Sequence, residues 1–266
     1  MRLQQAIEAH KGGRFAEAEG GYRGVLAAAP ADADALNFLG MLCCQTERPA
    51  EGAELLRRST EVNPANPHAW INLGNVLVRL EKDQEALEAF TRATQLAPDL
   101  PIAWFNVGVC LGRCKRQDEA ASAFHRVLKL EPGYLPAYEF LSRALHRLGN
   151  YAEAAEVYRE WLAHDPGNPT ARHMLAATAG GEIPDRASAA YIKSLFDDFA
   201  GHFDANLMSL KYRAPQWAVE RLGREVPAGA KLEVIDAGCG TGLCGPLVRP
   251  MATRLVGVDL SAQMLE

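Results

Sequence analysis

Three glycines stand at alternate positions, Gly238, Gly240 and Gly242, between an apolar run and a proline-containing turn. Two carboxylates bracket them: Asp236 lies two residues before the first glycine and Asp259 21 residues after it. Glycine in such a series permits a sharp turn and lets a ligand touch the backbone. The run Leu232-Glu233-Val234-Ile235-Asp236 has the apolar, β-branched character of a buried parallel strand. A helix is expected to start between Leu243 and Pro246, since proline is admissible in a first turn. Arg254-Leu255-Val256-Gly257-Val258-Asp259 reads as a second strand that ends in an acid. Strand, glycine loop, helix, strand, acid is the opening order of a doubly wound nucleotide-binding fold.

The dinucleotide fingerprint G-x-G-x-x-G would place its third glycine at 243, where Leu243 stands; the glycine is at 242. The pattern D-x-G-x-G-x-G with a downstream acid resembles motif I of the class I S-adenosylmethionine-dependent methyltransferases. The segment from Val258 to Leu265 resembles the second-strand end and helix start of that family. The resemblance implies S-adenosylmethionine as cofactor, with the backbone at Gly238, Gly240 and Gly242 beside its methionine part and Asp236 orienting its amino group. It implies that Asp259 accepts from the two ribose hydroxyls, a task for which a carboxylate has enough acceptors. Ser261 is then the N-cap of the next helix, and Met264 lies against the adenine. Aminopropyl transfer on the same fold stays open. Cys239, inside the motif, reads as a packing residue and not a nucleophile.

The elements in front of this loop have a fixed period. Pro30, Pro64, Pro98, Pro132 and Pro166 are 34 residues apart. Ala18, Gly52, Ala86, Ala120 and Ala154 share that register, as do Tyr22, Leu56, Phe90, Phe124 and Tyr158, and Ala6, Gly40, Gly74, Gly108 and Ser142. Small residues let paired helices approach closely, an aromatic ring or leucine fills the space between hairpins, and proline stops the second helix. Trp70-Ile71-Asn72-Leu73-Gly74-Asn75 with Glu85-Ala86, Phe90, Ala93 and Pro98 resembles the tetratricopeptide repeat. Trp104-Phe105-Asn106-Val107-Gly108 opens another such unit. The resemblance implies a solenoid whose concave face, lined by the first helix of each pair, binds a protein or peptide. That face is expected to carry His68, Asn72, Asn75, Arg79, Asn106 and Arg113. Asn72 and Asn106, one period apart, could hydrogen-bond the backbone of an extended peptide or merely face solvent. The first repeat carries Gly12-Gly13 and Gly20-Gly21, and its helices are expected to be the least stable.

The expected organisation is therefore mainly α: a helical-hairpin solenoid followed by the N-terminal part of an α/β Rossmann-like methyltransferase domain. Residues 1–168 form five repeats, 169–180 a capping helix ended by Gly180-Gly181, and 181–188 a linker. Residues 189–266 form lead-in helices and an incomplete methyltransferase domain. In the lead-in, Tyr191, Leu195, Phe196, Phe199 and Phe203 recur at helical spacing. This stripe is either ordinary core or, for Tyr191, Phe199 and Phe203, a lid over the cofactor; His202 reads as a surface histidine. Pro215 suits the first turn of a helix running to about Leu222 and closed by Gly223.

Only 28 residues come after Gly238. By the resemblance, the later strands that carry the acceptor pocket and catalytic groups have no counterpart there. The chain is thus expected to be an incomplete and inactive portion of a methyltransferase, with catalytic residues unassigned; the alternative is a non-catalytic binding scaffold. A net charge of -5 argues against general attraction to nucleic acid or acidic membranes. No apolar run reaches the roughly 18 residues of a membrane span, and the polar N-terminus reads as cytoplasmic. The six cysteines read as reduced thiols, and Cys110 and Cys114 lack the companions of a closed zinc site.

Overall fold

Short polar residues and prolines set the helix starts. The Asp32 side chain accepts from the Ala35 N–H at 2.8 Å, and Asn66 from the His68 N–H at 3.0 Å. Pro49, Pro67 and Pro101 each sit in a first turn, where the missing N–H has no partner to lose. The structure, a computed structural model, describes residues 3–179, 187–227 and 229–266. The chain falls into two compact units, Met1–Asp165 and Pro166–Glu266.

The first unit is an array of antiparallel helix pairs: α1 (Leu3–Lys11) with α2 (Phe15–Ala28), α3 (Ala33–Gln45) with α4 (Pro49–Val62), α5 (Pro67–Arg79) with α6 (Asp83–Leu96), α7 (Pro101–Arg113) with α8 (Gln117–Leu130), and α9 (Leu135–Leu148) with α10 (Tyr151–His164). The 34-residue columns are its core. Tyr22, Leu56, Phe90, Phe124 and Tyr158 are at most 2% exposed. The small residues have a steric cause: a β-carbon on Gly74 would stand 2.5 Å from the Phe90 ring, and one on Gly108 2.6 Å from the Phe124 ring. Each pair turns through one residue in the left-handed region: Gly13, Glu47, Glu81, Lys115 and Gly149, with φ of 72°, 60°, 59°, 62° and 74°. A second periodic device fixes each proline turn. Trp70 Nε1 donates to the Pro64 carbonyl at 3.0 Å, Trp104 Nε1 to Pro98 at 3.0 Å, and the Tyr138 hydroxyl to Pro132 at 2.9 Å.

The second unit opens with α11 (Pro169–Thr178), capped by Asn168 through the Ala171 N–H at 2.9 Å. The helix stop at Gly180-Gly181 and most of the expected linker lie outside the described residues. Ser188 caps α12 (Ala189–Phe199) through the Tyr191 N–H at 3.2 Å, and the Tyr191 ring stacks on His173 of α11 at 4.0 Å. A 3-10 turn (Ala200–His202) leads to α13 (Phe203–Ser209), and α14 spans Ala214–Glu225. Pro215 lies in the first turn of α14 as expected, but the helix passes through Gly223 and does not end there. The strands β1 (Leu232–Ala237) and β2 (Ala252–Val258) pair in parallel, Val234 opposite Leu255 and Ile235 opposite Val256. Between them the helical segment is one turn, α15 (Gly245–Val248), running into a 3-10 turn (Arg249–Met251).

Among the described residues the sheet has two strands, so the fold is mainly a helical solenoid with a small parallel β-pair, not a complete doubly wound domain. β1 is a strand paired in parallel with β2, as its apolar, β-branched composition implies. Its exposure alternates along the strand, and Ile235 is 72% exposed.

Candidate cofactor loop and candidate peptide face

The glycine loop begins where β1 ends. Gly238, Gly240 and Gly242 have φ of 78°, 54° and 83°, a region that side chains disfavour, so the alternate-glycine spacing is what this path requires. The loop is tied to the end of β2 by the Gly238 and Cys239 N–H groups, which both donate to the Val258 carbonyl, at 2.7 and 3.1 Å. Asp259, the next residue, ties it again: its Oδ2 accepts from the Gly240 N–H and its Oδ1 from the Ser261 N–H, each at 2.9 Å. Each oxygen keeps a second acceptor site, so the carboxylate still has capacity for a ligand hydroxyl. Asp236 stands opposite Gly257 in the sheet register.

Ser261 is fully buried and acts as a cap, its Oγ accepting from the Met264 N–H at 3.2 Å. The turn after it is 3-10, over Gln263–Leu265. Met264 is 3% exposed, and its methyl carbon and the Phe203 ring lie 3.5 and 3.4 Å from where a β-carbon of Gly240 would be. The structure thus gathers Gly240, Asp259, Ser261 and Met264, and adds three residues from the lead-in helices. Phe203 lies over the loop. Asp204 accepts from the Thr241 hydroxyl, and Asp197 of α12 accepts from the Ser261 hydroxyl at 2.5 Å. Lys193, paired with Asp197, and then Ser261 hold the Asp197 carboxyl below the usual carboxylate range. Phe203 was a candidate in the sequence. Asp197 and Asp204 carried no signal, because their partners lie 64 and 37 residues away.

The Cys239 thiol is pushed up, chiefly by desolvation and then by Asp236 and Asp259, which keeps it protonated. Its sulfur packs under β2, where a β-carbon on Gly257 would meet it at 2.8 Å. Burial likewise pushes Cys43 up to about 11 and Cys110 up to about 12. Among the described residues no cluster of three His, Cys, Asp or Glu could hold a metal ion.

On the first-helix face, Asn75 is exposed while Asn72 and Asn106 are half-buried. The Asn72 amide donates to Oδ1 of Asn37, at 3.0 Å, a lateral bond between neighbouring repeats that uses part of its capacity. Asn37 carries no periodic signal, since its column holds Ile71 and not an asparagine. The arginines expected on this face also reach back one repeat. Arg79 donates to the Cys44 carbonyl at 2.8 Å and pairs with Glu47 at 2.6 Å, and Arg113 pairs with Asp83 at 2.5 Å. A groove of about 250 Å³ lies between α7 and α9, floored by Gly108, Phe124 and Phe140.

Tetratricopeptide-repeat family models match residues 3–59, 44–101 and 115–178, which together span most of the helical pairs. The chain carries a tetratricopeptide-repeat array. Solved structures with a similar array include MamA, with a TM-score of 0.58 at 23% identity over 60% of this chain and 94% of that one. The Pseudomonas aeruginosa protein pilF aligns with a TM-score of 0.63 at 20% identity, covering 79% of this chain and 95% of its own. YrrB, described as a TPR protein with an unusual peptide-binding site, gives a TM-score of 0.57 at 25% identity, covering 67% and 89%. In sequence, the human methyltransferase-like protein 27 is 37% identical over 100 residues, 37% of this chain. The chain spans about two fifths of that relative's length, 39%. No described helix is long and apolar enough to cross a membrane.

Proposed function

We propose that residues from about Ser188 onward are the cofactor-binding end of an S-adenosylmethionine-dependent methyltransferase, and that the tetratricopeptide-repeat array is its protein-binding arm. The observation that carries the first part is the loop itself: three left-handed glycines join the parallel strands, and Asp259 at the end of β2 anchors the middle one. The partial likeness to methyltransferase-like protein 27 supports it. S-adenosylmethionine would lie along Gly238, Gly240 and Gly242, with Asp259 toward its ribose and Met264 toward its adenine, and Phe203 would close over it. When bound it supplies the methyl group; the residues described bind and orient it and exclude water. Titration calorimetry of S-adenosylmethionine into the full chain tests this. Binding that Asp259→Ala weakens about tenfold or more is expected, the loss of charge-assisted hydrogen bonds. Binding indifferent to Asp259→Ala would remove that residue from the site.

The arm reading rests on the family and on the first-helix face that carries Asn72, Asn75 and Asn106; a peptide-binding site described for YrrB supports it. A second reading, a binding scaffold without catalysis, is favoured by the tetratricopeptide-repeat array, which the family models match over most of the helical pairs. Absence of S-adenosylmethionine binding, with peptide capture retained, would put that reading first.

A further inference from the structure

The 34-residue register allows the same position to be compared along the array. One residue near the end of each first helix reads Lys11, Gln45, Arg79, Arg113 and Arg147, and the last four have a repeat before them. The turn of the preceding repeat supplies the groups that face it. In the second repeat, Glu47 in the left-handed turn pairs with Arg79 at 2.6 Å. In the third, Asp83 pairs with Arg113 at 2.5 Å, and Glu81 adds a second negative charge nearby. In the fourth, the equivalent turn residues are Lys115 and Gln117. Arg147 is exposed, and neither its side chain nor that of Lys115 has an ion pair or hydrogen bond among the described residues. Two cations therefore occupy the positions that hold a cation and an anion two repeats earlier.

The unbalanced charge adjoins a shaped surface. Arg147 and Gln117 line the same groove as Phe124 and Phe140, about 250 Å³ in volume. Phe140 is held by Phe105 and Phe124 at ring distances of 5.3 and 5.7 Å, so its position is set by packing. Arg143, over the Phe140 ring at 5.1 Å and paired with Glu139, closes one side. We propose that this groove takes an acidic segment of a protein partner, with a side-chain carboxylate on Arg147 in place of the acid that the second and third repeats provide for themselves. An apolar side chain beside that carboxylate would rest against Phe140, which is half-buried over the core ring of Phe124. The proposal rests on the reading of the first-helix face as a peptide surface, and adds the chemistry of the peptide and its place between the fourth and fifth repeats. The overall negative charge of the chain makes this patch a local exception.

Fluorescence anisotropy of the full chain with a short labelled peptide, glutamates flanking a phenylalanine, tests it against the same peptide carrying glutamines. The acidic probe is expected to bind more tightly, and added salt to narrow the gap. Lys115→Glu installs the ion pair of the second repeat, so it should keep or raise the melting temperature while weakening the acidic probe about tenfold, as expected when two exposed charge contacts are lost. Arg147→Glu should do the same to binding. Equal binding of the two peptides, or an affinity unchanged in Lys115→Glu, would overturn the acidic preference and leave the peptide surface standing. Failure of both peptides to bind would overturn both. Preference for an oligonucleotide over either peptide would also overturn it.

Discussion

Partners in the repeat array lie about one period away, whereas partners in the C-terminal unit lie wherever the chain happens to return. Arg79 meets Glu47 and Asn72 meets Asn37 across adjacent repeats, at separations of 32 and 35 residues. Asp197 meets Ser261 across 64 residues, and no other part of the described chain repeats that arrangement. In the array each contact is sampled several times, so a departure such as Lys115 is visible as a departure. In the C-terminal unit each contact occurs once, and its meaning comes from geometry alone.

The contrast can be broken most strongly at the periodic core. Phe124→Ala removes a ring that fills the space beside Gly108 and should cost about 3–5 kcal/mol, read as a large fall in melting temperature. A fall no larger than that of a surface variant would mean that the column is not the core of the array. Gly108→Val should cost about 1–3 kcal/mol by overpacking the same ring, measured by urea unfolding. Ser261→Ala should cost about 1 kcal/mol, the loss of a cap. Because the hydroxyl also holds Asp197, hydrogen exchange should accelerate in α12 while the array stays protected; unchanged exchange in α12 would separate that helix from the loop.

Smaller effects sharpen the periodic side. Glu81 adopts the left-handed turn without glycine, so Glu81→Gly should stabilise the array by about 1 kcal/mol. Glu47→Gly should gain less, because it also loses Arg79; equal gains in denaturant midpoint would argue against a role for that pair. The smallest effect is electrostatic. Glu19 is bonded to Arg48 and Arg23, and Arg48 first of all depresses its pKa. A depressed carboxylate stabilises the fold above its unfolded value, and that stabilisation is lost as pH falls through the folded value. The difference in melting temperature between Glu19→Gln and the parent should therefore be present at neutral pH and vanish as pH falls below the usual carboxylate range.

Much of the array was legible because proline, small and aromatic columns each have a steric cause that acts on residue type. The left-handed turn column was not, since its middle members are Glu47, Glu81 and Lys115, whose types do not mark positive φ. The asparagine ladder was incomplete for a related reason: Asn72 bonds to a residue of a different column. In the C-terminal unit the strands, the glycine loop, Asp259 and the Ser261 cap were legible because each is a local pattern. The contacts of Asp204 and Asp197 were not, nor was the passage of α14 through Gly223, because both depend on what the chain packs against.

The proline latches made by Trp70, Trp104 and Tyr138 have a mechanical consequence. Each fastens the end of one hairpin to the first helix of the next across six residues, so the hairpins are linked in series by short junctions that a pull along the chain should load in turn. The array should then lengthen in steps as successive hairpins let go, each releasing roughly 110–120 Å of extended chain, and behave as a graded spring where a single cooperative core would snap.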